Sequence, residues 1–380
     1  MLEVADVFRL HGACKAKALA LDGAAFRARF GDRLRPSQKR AMRDIEACRT
    51  AYFGGHLKQC DHCGQKVFAY HSCRNRHCPK CHRNQTERWL EKQRARLLPC
   101  RYFLFTFTLP SELRLLARAH QKKVYGLLMR TAAAALQKLA RDPRYLGAHI
   151  GCLAVLHTCT RALLYHPHVH LLVTAGGLSA DPAQWIEPRN PAFLLPVRAL
   201  SVIFRAKVCA ALKKAGLLPQ VSSRVWKKDW VVHAQPAGSG QKVLESLGRY
   251  VFRIAITNSR IEQIDNSQVT FRYRDNRSQE LRRVTLSAEE FISRFLQHVL
   301  PRGCAKVRYY GIWSSSSRQH LEQACALPSA PPPAASDPSP PTAAQSELAL
   351  PAPASARCPH CRIGQLIVIQ ALLPQRTFPP

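Results

Sequence analysis

Apolar residues alternate through Arg101-Tyr-Phe-Leu-Phe-Thr-Phe-Thr-Leu109 and stop at Pro110. An aromatic and β-branched run of period two predicts a strand. The period then changes, because Leu116, Val124, Leu127, Leu128 and Ala132 recur at helical spacing, which predicts a long amphipathic helix over Leu113–Leu139. Further strands are predicted at Ile150–His157, Val169–Thr174 and Trp226–His233, with helices at Ala199–Leu217 and Lys242–Phe252. A hairpin is expected over Arg260–Tyr273, a helix over Ser287–Val299 and a last strand over Val307–Tyr310. Upstream, residues 1–50 show helical spacing broken at Gly12 and at Gly31–Pro36, where Ser37 is placed to cap a helix running to Cys48. Short connectors between several strand pairs argue for an α+β fold with a largely antiparallel sheet.

Composition divides the chain. From Ala326 to Ala356, 24 of 31 residues are Pro, Ala or Ser, nine of them Pro, which predicts an extended tether. The expected domain boundaries are 1–95; 96–318; 319–356, a disordered linker; and 357–380, a tail with a Cys pair.

Charge supplies the partner. The 380 residues hold 57 Lys+Arg against 24 Asp+Glu, a formal charge of +33. Ordinary soluble domains carry about 2 to 8 charges in magnitude, so a polyanion is expected, and phosphate neutralisation makes nucleic acid the natural one. Asp6, Arg9, Lys15 and Lys17 interrupt the first 25 residues, and no apolar run is long enough to span a bilayer. The expected place is the cytoplasm, associated with the nucleoid and not with a membrane. Gly238-Ser-Gly-Gln-Lys242 lacks P-loop spacing, so no nucleotide site is expected.

In a reducing compartment the 15 cysteines read as metal ligands rather than disulfides. Cys60-Asp-His-Cys63 and Cys78-Pro-Lys-Cys81 are two C-x-x-C pairs fourteen residues apart, and together they offer the tetrahedral set that structural Zn²⁺ prefers. Cys73 and His77 are alternative ligands, as are His62 and His82; Cys48 and His56 are available for a second site with Cys73 or His77. Arg74, Arg76, Lys80 and Arg83 between and beside the ligands form the candidate DNA-binding surface. Cys358-Pro-His-Cys361 resembles half of another zinc ribbon and needs ligands from elsewhere.

In Tyr165-His166-Pro-His168-Val-His170 the three histidines share one face of a strand, which makes them candidates for one divalent ion. A metal beside a phosphodiester polarises a phosphoryl oxygen. The helix Lys242-Val-Leu-Glu-Ser-Leu-Gly-Arg-Tyr250-Val-Phe-Arg253 offers a nucleophile in Tyr250, with Arg249 and Arg253 beside it to favour the phenolate and hold phosphate.

The strings Ser72-Cys-Arg-Asn-Arg-His-Cys-Pro-Lys-Cys81, His166-Pro-His-Val-His170 and Arg249-Tyr-Val-Phe-Arg-Ile-Ala-Ile-Thr-Asn-Ser259 resemble the rolling-circle transposases of the insertion sequence ninety-one family. The resemblance runs from about Val4 to Gly311. It implies a mostly helical N-terminal zinc-binding module, then a histidine-hydrophobic-histidine (HUH) nuclease domain with a central antiparallel sheet and flanking helices. His168 and His170 match the defining pair, His166 the position of a third ligand and Tyr250 the nucleophile. The implied cofactors are structural Zn²⁺ and catalytic Mg²⁺ or Mn²⁺. The implied partner is DNA, as single-stranded transposon ends and target, with self-association left open. Two-tyrosine members place the first tyrosine one turn earlier, where this chain has Ser246; a one-tyrosine cycle and loss of part of the cycle are the two readings. Competing functions with the same composition are a replication initiator or relaxase, a metal hydrolase that dispenses with Tyr250, and a non-catalytic zinc regulator.

Overall fold

The computed structural model describes residues 2–9, 23–81, 83–180, 184–252, 255–275, 278–327 and 357–376. In chain order the helices are α1 (Val4–Arg9), α2 (Gly23–Phe30), α3 (Pro36–Glu46), α4 (Arg83–Arg94), α5 (Arg114–Ala119), α6 (Gln121–Ala140), α7 (Val197–Lys214), α8 (Gln241–Phe252), α9 (Ala288–Gln297) and α10 (Arg318–Ala326). The strands are β1 (Gly55–Cys60), β2 (Lys66–Tyr70), β3 (Tyr102–Thr108), β4 (Gly151–Cys159), β5 (Tyr165–Thr174), β6 (Gly177–Leu178), β7 (Trp185–Ile186), β8 (Val232–Pro236), β9 (Ile261–Asp265), β10 (Gln268–Arg274), β11 (Leu281–Ser287), β12 (Val307–Gly311) and β13 (Leu366–Leu372). They form two compact units, one of residues 1–83, 255–299 and 342–380, the other of 84–254 and 300–341.

In the first unit, α3 starts with Pro36 at its first turn, where a missing N–H costs nothing, so the expected Ser37 cap gives way to Arg35 as the N-cap residue. Gly12 lies outside the described residues. The hairpin β1–β2 is extended by β13, giving the antiparallel order β13-β1-β2. Residues 255–299, grouped by sequence position with the catalytic segment, pack in this unit. Phe295 of α9 meets Phe8 of α1 edge-on, ring centroids 5.6 Å apart, and Glu289 pairs with Arg29 at 2.8 Å. The expected hairpin there is β9–β10; its two-residue turn, Asn266 and Ser267, has φ of 46° and 58°, the left-handed pair that matches strand twist. Ser287 accepts from the Glu290 N–H and caps α9.

The second unit is built on the antiparallel sheet β12-β4-β5-β3-β8. One face carries Phe103, Phe105 and Phe107 of β3, Cys152, Ala154 and Leu156 of β4, and Val169, Leu171 and Val173 of β5, all buried against α5, α6 and α7. The helix expected over Leu113–Leu139 is interrupted at His120, where φ −118° and ψ 45° leave the helical region. The strand expected at Trp226–His233 lies further on, as β8, after a 3₁₀ turn at Ser223–Trp226. On the opposite face Leu153 and Val155 of β4 and Leu172 of β5 are buried with Leu244 and Leu247 of α8 and Ala324 of α10. Residues 319–326, expected to open the linker, are therefore helical and partly packed; 328–356 lie outside the described residues. Among the described residues no helix is long and apolar enough to cross a membrane.

Candidate metal centres and nuclease site

The first half of β5 alternates: His166, His168 and His170 are half-buried on one face, while Tyr165, Pro167 and Val169 are buried on the other. Strand register sets His157 of β4 opposite His168, and Thr106 of β3 opposite His170. One ring nitrogen each from His157, His168 and His170 falls within 4.8 Å of the others. The His157 ring centroid is 5.2 Å from that of His168 and 4.4 Å from that of His170.

The expected third ligand, His166, does not join this group. A strand rises about 3.3 Å per residue, so positions i and i+4 lie about 13 Å apart and cannot share an ion, whereas cross-strand neighbours stand about 5 Å apart. His166 instead turns to Arg114, with its Nδ1 2.9 Å from Nη2. A guanidinium only donates, so this Nδ1 accepts. His157 replaces it, and the only sequence signal for that residue was its place near the end of a predicted strand.

Hydrogen bonds orient the ligands. The Nδ1 of His168 is 2.7 Å from the carbonyl oxygen of His166 and must donate to it, which leaves the Nε2 lone pair outward. The Nδ1 of His170 meets Thr106 Oγ1 at 2.9 Å. Burial, reinforced by neighbouring imidazoles, pushes His170 down to about 3, and burial pushes His168 down to about 4. His157 is held well below its ordinary value, first by burial and then by His170 and His168. All three are neutral near pH 7, the form that ligates, and three imidazoles with positions left open fit a divalent ion that also takes phosphate oxygens.

The helix carrying Tyr250 lies on this same face. Leu244 and Leu247 of α8 pack on Leu153, Val155 and Leu172, which continue the rows that His157, His168 and His170 begin. Gly248 lets α8 approach α4 closely, since a Cβ there would stand 2.7 Å from Leu90 Cδ2. Tyr250 follows Leu247 by three positions, one turn further along, with Ser246 a turn before it. Arg249 and Tyr250 are described at the backbone only, and Arg253 lies outside the described residues.

Among the described residues of the first unit the cysteines form two groups of four, and the expected set Cys60, Cys63, Cys78 and Cys81 is split between them. Cys48, Cys73, Cys78 and Cys81 make one; Cys60, Cys63, Cys358 and Cys361 make the other. The hairpin separates them, because Cys60 and Cys63 stand at its tip whereas Cys73 follows its base, where Gly55 pairs with Tyr70. Five residues of strand span about 17 Å, too far for one ion. Within the first group Cys81 Sγ is 3.5 Å from the sulfurs of both Cys48 and Cys73. In the second, Cys60–Cys361 and Cys63–Cys358 are each 3.7 Å apart. Disulfide sulfurs sit about 2.05 Å apart, whereas a tetrahedron with zinc–sulfur bonds of about 2.3 Å has edges of about 3.8 Å. Both groups fit zinc.

His77 stays outside the first group: its Nδ1 is 3.0 Å from Asn75 Oδ1, and Asn75 in turn donates to Asp44 of α3 at 2.9 Å. His56 faces His71, ring centroids 4.9 Å apart, and joins neither group. Of the candidate DNA contacts, Arg74 is exposed at φ 50°, Arg76 is half-buried, and Arg83 opens α4 and is described at the backbone only. Lys80 is paired with Glu3, which offsets the charge expected to face DNA. His82 lies outside the described residues.

Residues 151–320 match the family model described as putative transposase, and residues 19–109 the one described as transposase zinc-binding domain. The chain is 41% identical over 390 residues to the putative transposase y4qJ of Sinorhizobium fredii (strain NBRC 101917 / NGR234), covering 97% of this chain and 95% of that one. It is 29% identical over 297 residues to the transposase for insertion sequence element IS801 of Pseudomonas savastanoi pv. phaseolicola, covering 71% and 70%. A solved structure of the conjugative relaxase TrwC in complex with oriT DNA aligns over 30% of this chain and 44% of that one, at 20% identity and a TM-score of 0.25. The length and identity of the first match, together with both family models, show that the chain belongs to the transposases of the insertion sequence ninety-one type, with a zinc-binding domain on its N-terminal side.

Proposed function

We propose that this transposase cuts one DNA strand with Tyr250 and keeps the broken end as a 5′-phosphotyrosine. The observation that carries the reading is the placement of α8: the tyrosine-bearing helix packs on the face of the sheet where His157, His168 and His170 converge. His157, His168 and His170 would hold a divalent ion, Mg²⁺ or Mn²⁺, which would supply positive charge to the scissile phosphate. Tyr250 gives its phenolic proton to water and attacks phosphorus in line; the tyrosyl oxygen–phosphorus bond forms as the bond to the 3′ oxygen breaks, and that oxygen takes a proton from water and leaves as a hydroxyl. The phosphodiester energy is retained, so a later 3′-hydroxyl reverses the step and joins strands without ATP. Arg249 and Arg253 supply cations beside the nucleophile.

Cys48, Cys73, Cys78 and Cys81 hold the structural zinc of the N-terminal module in this reading, with Arg74 and Arg76 contacting DNA backbone. A DNA substrate places the work in the cytoplasm, at the nucleoid. The test is incubation of the protein with labelled single-stranded transposon-end DNA and Mg²⁺ or Mn²⁺. A denaturation-resistant adduct is expected on the wild type and not on Tyr250→Phe. Cleavage by both without an adduct would make water the nucleophile. DNA bound but uncut by the wild type would leave a regulator.

A further inference from the structure

The proposed cleavage step does not use the Cys pair at Cys358 and Cys361, which lies some 300 positions from its partners in the second group of four. The two halves of that group are built alike. In Cys60-Asp-His-Cys63-Gly64 the N–H of Gly64 donates to the carbonyl of Cys60 at 3.1 Å; in Cys358-Pro-His-Cys361-Arg362 the N–H of Arg362 donates to the carbonyl of Cys358 at 2.9 Å. Gly64 and Arg362 both take left-handed φ, 70° and 61°. Each half also aims a backbone N–H at a sulfur: Cys63 N at Cys60 Sγ and Gly364 N at Cys361 Sγ, both 3.5 Å. Amide donors of this kind stabilise thiolates and hold them in ligand geometry.

The halves also fit one another closely. A Cβ on Gly364 would stand 2.5 Å from Cys60 Sγ and 2.5 Å from Asp61 Oδ1. Asp61 Oδ1 accepts the Gln365 N–H at 2.8 Å, and Asp61 N donates to the Gln365 carbonyl at 3.1 Å. From there β13 pairs along all of β1, and Gln375 N reaches the carbonyl of Ala51 at 3.0 Å. A Cβ on Gly54 would meet Leu372 O at 2.4 Å, so that glycine admits the strand. Strand pairing alone gives the tail little apolar burial, since Ile367, Val368 and Ile369 are about half exposed or more.

From this geometry we infer that Cys60, Cys63, Cys358 and Cys361 bind a second structural Zn²⁺, which clasps the C-terminal segment to the N-terminal hairpin as the edge strand of its sheet. The zinc-binding domain is thus discontinuous in sequence: its second centre is complete only when the segment beyond the Pro-rich stretch returns to it.

The test reads zinc and fragment retention rather than DNA cleavage, so it is independent of the reading of Tyr250. In the full chain, a protease site inserted between Thr342 and Ala343 allows the tail to be cut free after purification. Expected for the wild type is co-elution of the cut tail with the body on gel filtration, and its release after zinc chelation. The double variant Cys358→Ser, Cys361→Ser should contain one zinc fewer per chain by elemental analysis and lose the tail on cutting. A variant confined to the tail leaves Cys48, Cys73, Cys78 and Cys81 intact, so their zinc reports that the body is folded. Unchanged zinc content in the double variant overturns the site. A cut tail held as firmly by the double variant as by the wild type overturns the clasp.

Discussion

His157 of β4 stands directly opposite His168 of β5, ring centroids 5.2 Å apart and planes at 78°. That cross-strand pairing, rather than the run of histidines along β5, brings three ring nitrogens within reach of one ion. His157→Ala should therefore weaken Mn²⁺ binding at least about tenfold, the lower end of what loss of even an outer partner costs. His166→Ala, which removes the partner of Arg114 instead, should leave Mn²⁺ affinity near the wild-type value. Calorimetric titration of the two variants decides it; the opposite ranking would return His166 to the ligand set.

Thr106 Oγ1 stands 2.9 Å from Nδ1 of His170 and positions that ring. Thr106→Val keeps the shape and removes the hydroxyl, and should lower Mn²⁺ affinity and strand cleavage together by about 10- to 100-fold. Thr106→Ser should restore both. Equal loss in the Ser and Val variants would assign Thr106 to packing alone.

Leu247 is 3% exposed and seats α8 on the sheet. Leu247→Ala should destabilise the second unit by about 2–5 kcal/mol, read as a shift in its denaturant midpoint, with zinc content unchanged. A shift below about 1 kcal/mol would show that α8 is not anchored there, against the usual cost of emptying a buried leucine site.

Cys48 belongs to the first thiol group although it lies outside both C-x-x-C pairs near it. Cys48→Ser should lose one zinc per chain and loosen the first unit, while Mn²⁺ binding by the second unit persists. Full zinc content in that variant would return the fourth ligand to a residue such as His77.

Much of this protein is set by local sequence. The alternation that predicts β3, the helix expected over Lys242–Phe252, and the face shared by His166, His168 and His170 are all properties of neighbouring residues, and backbone geometry converts them directly into strands, helices and faces. The paired cysteines announce metal for the same reason. Which side chains share an ion is another matter, because ligation requires atoms within a few ångströms while strands carry neighbours apart at about 3.3 Å per residue. Register brought His157 in and left His166 to Arg114. The length of the β1–β2 hairpin divided one expected zinc set into two, and the return of β13 supplied Cys358 and Cys361 from the far end of the chain. Residues 255–299 likewise joined the first unit through Phe295 and Phe8, a contact that the amphipathic pattern of either helix leaves unspecified. Local periodicity accounts for most of the long helices and central strands and for the chemistry they carry; tertiary pairing selects which residues meet, since a local period specifies a face but not the surface that covers it.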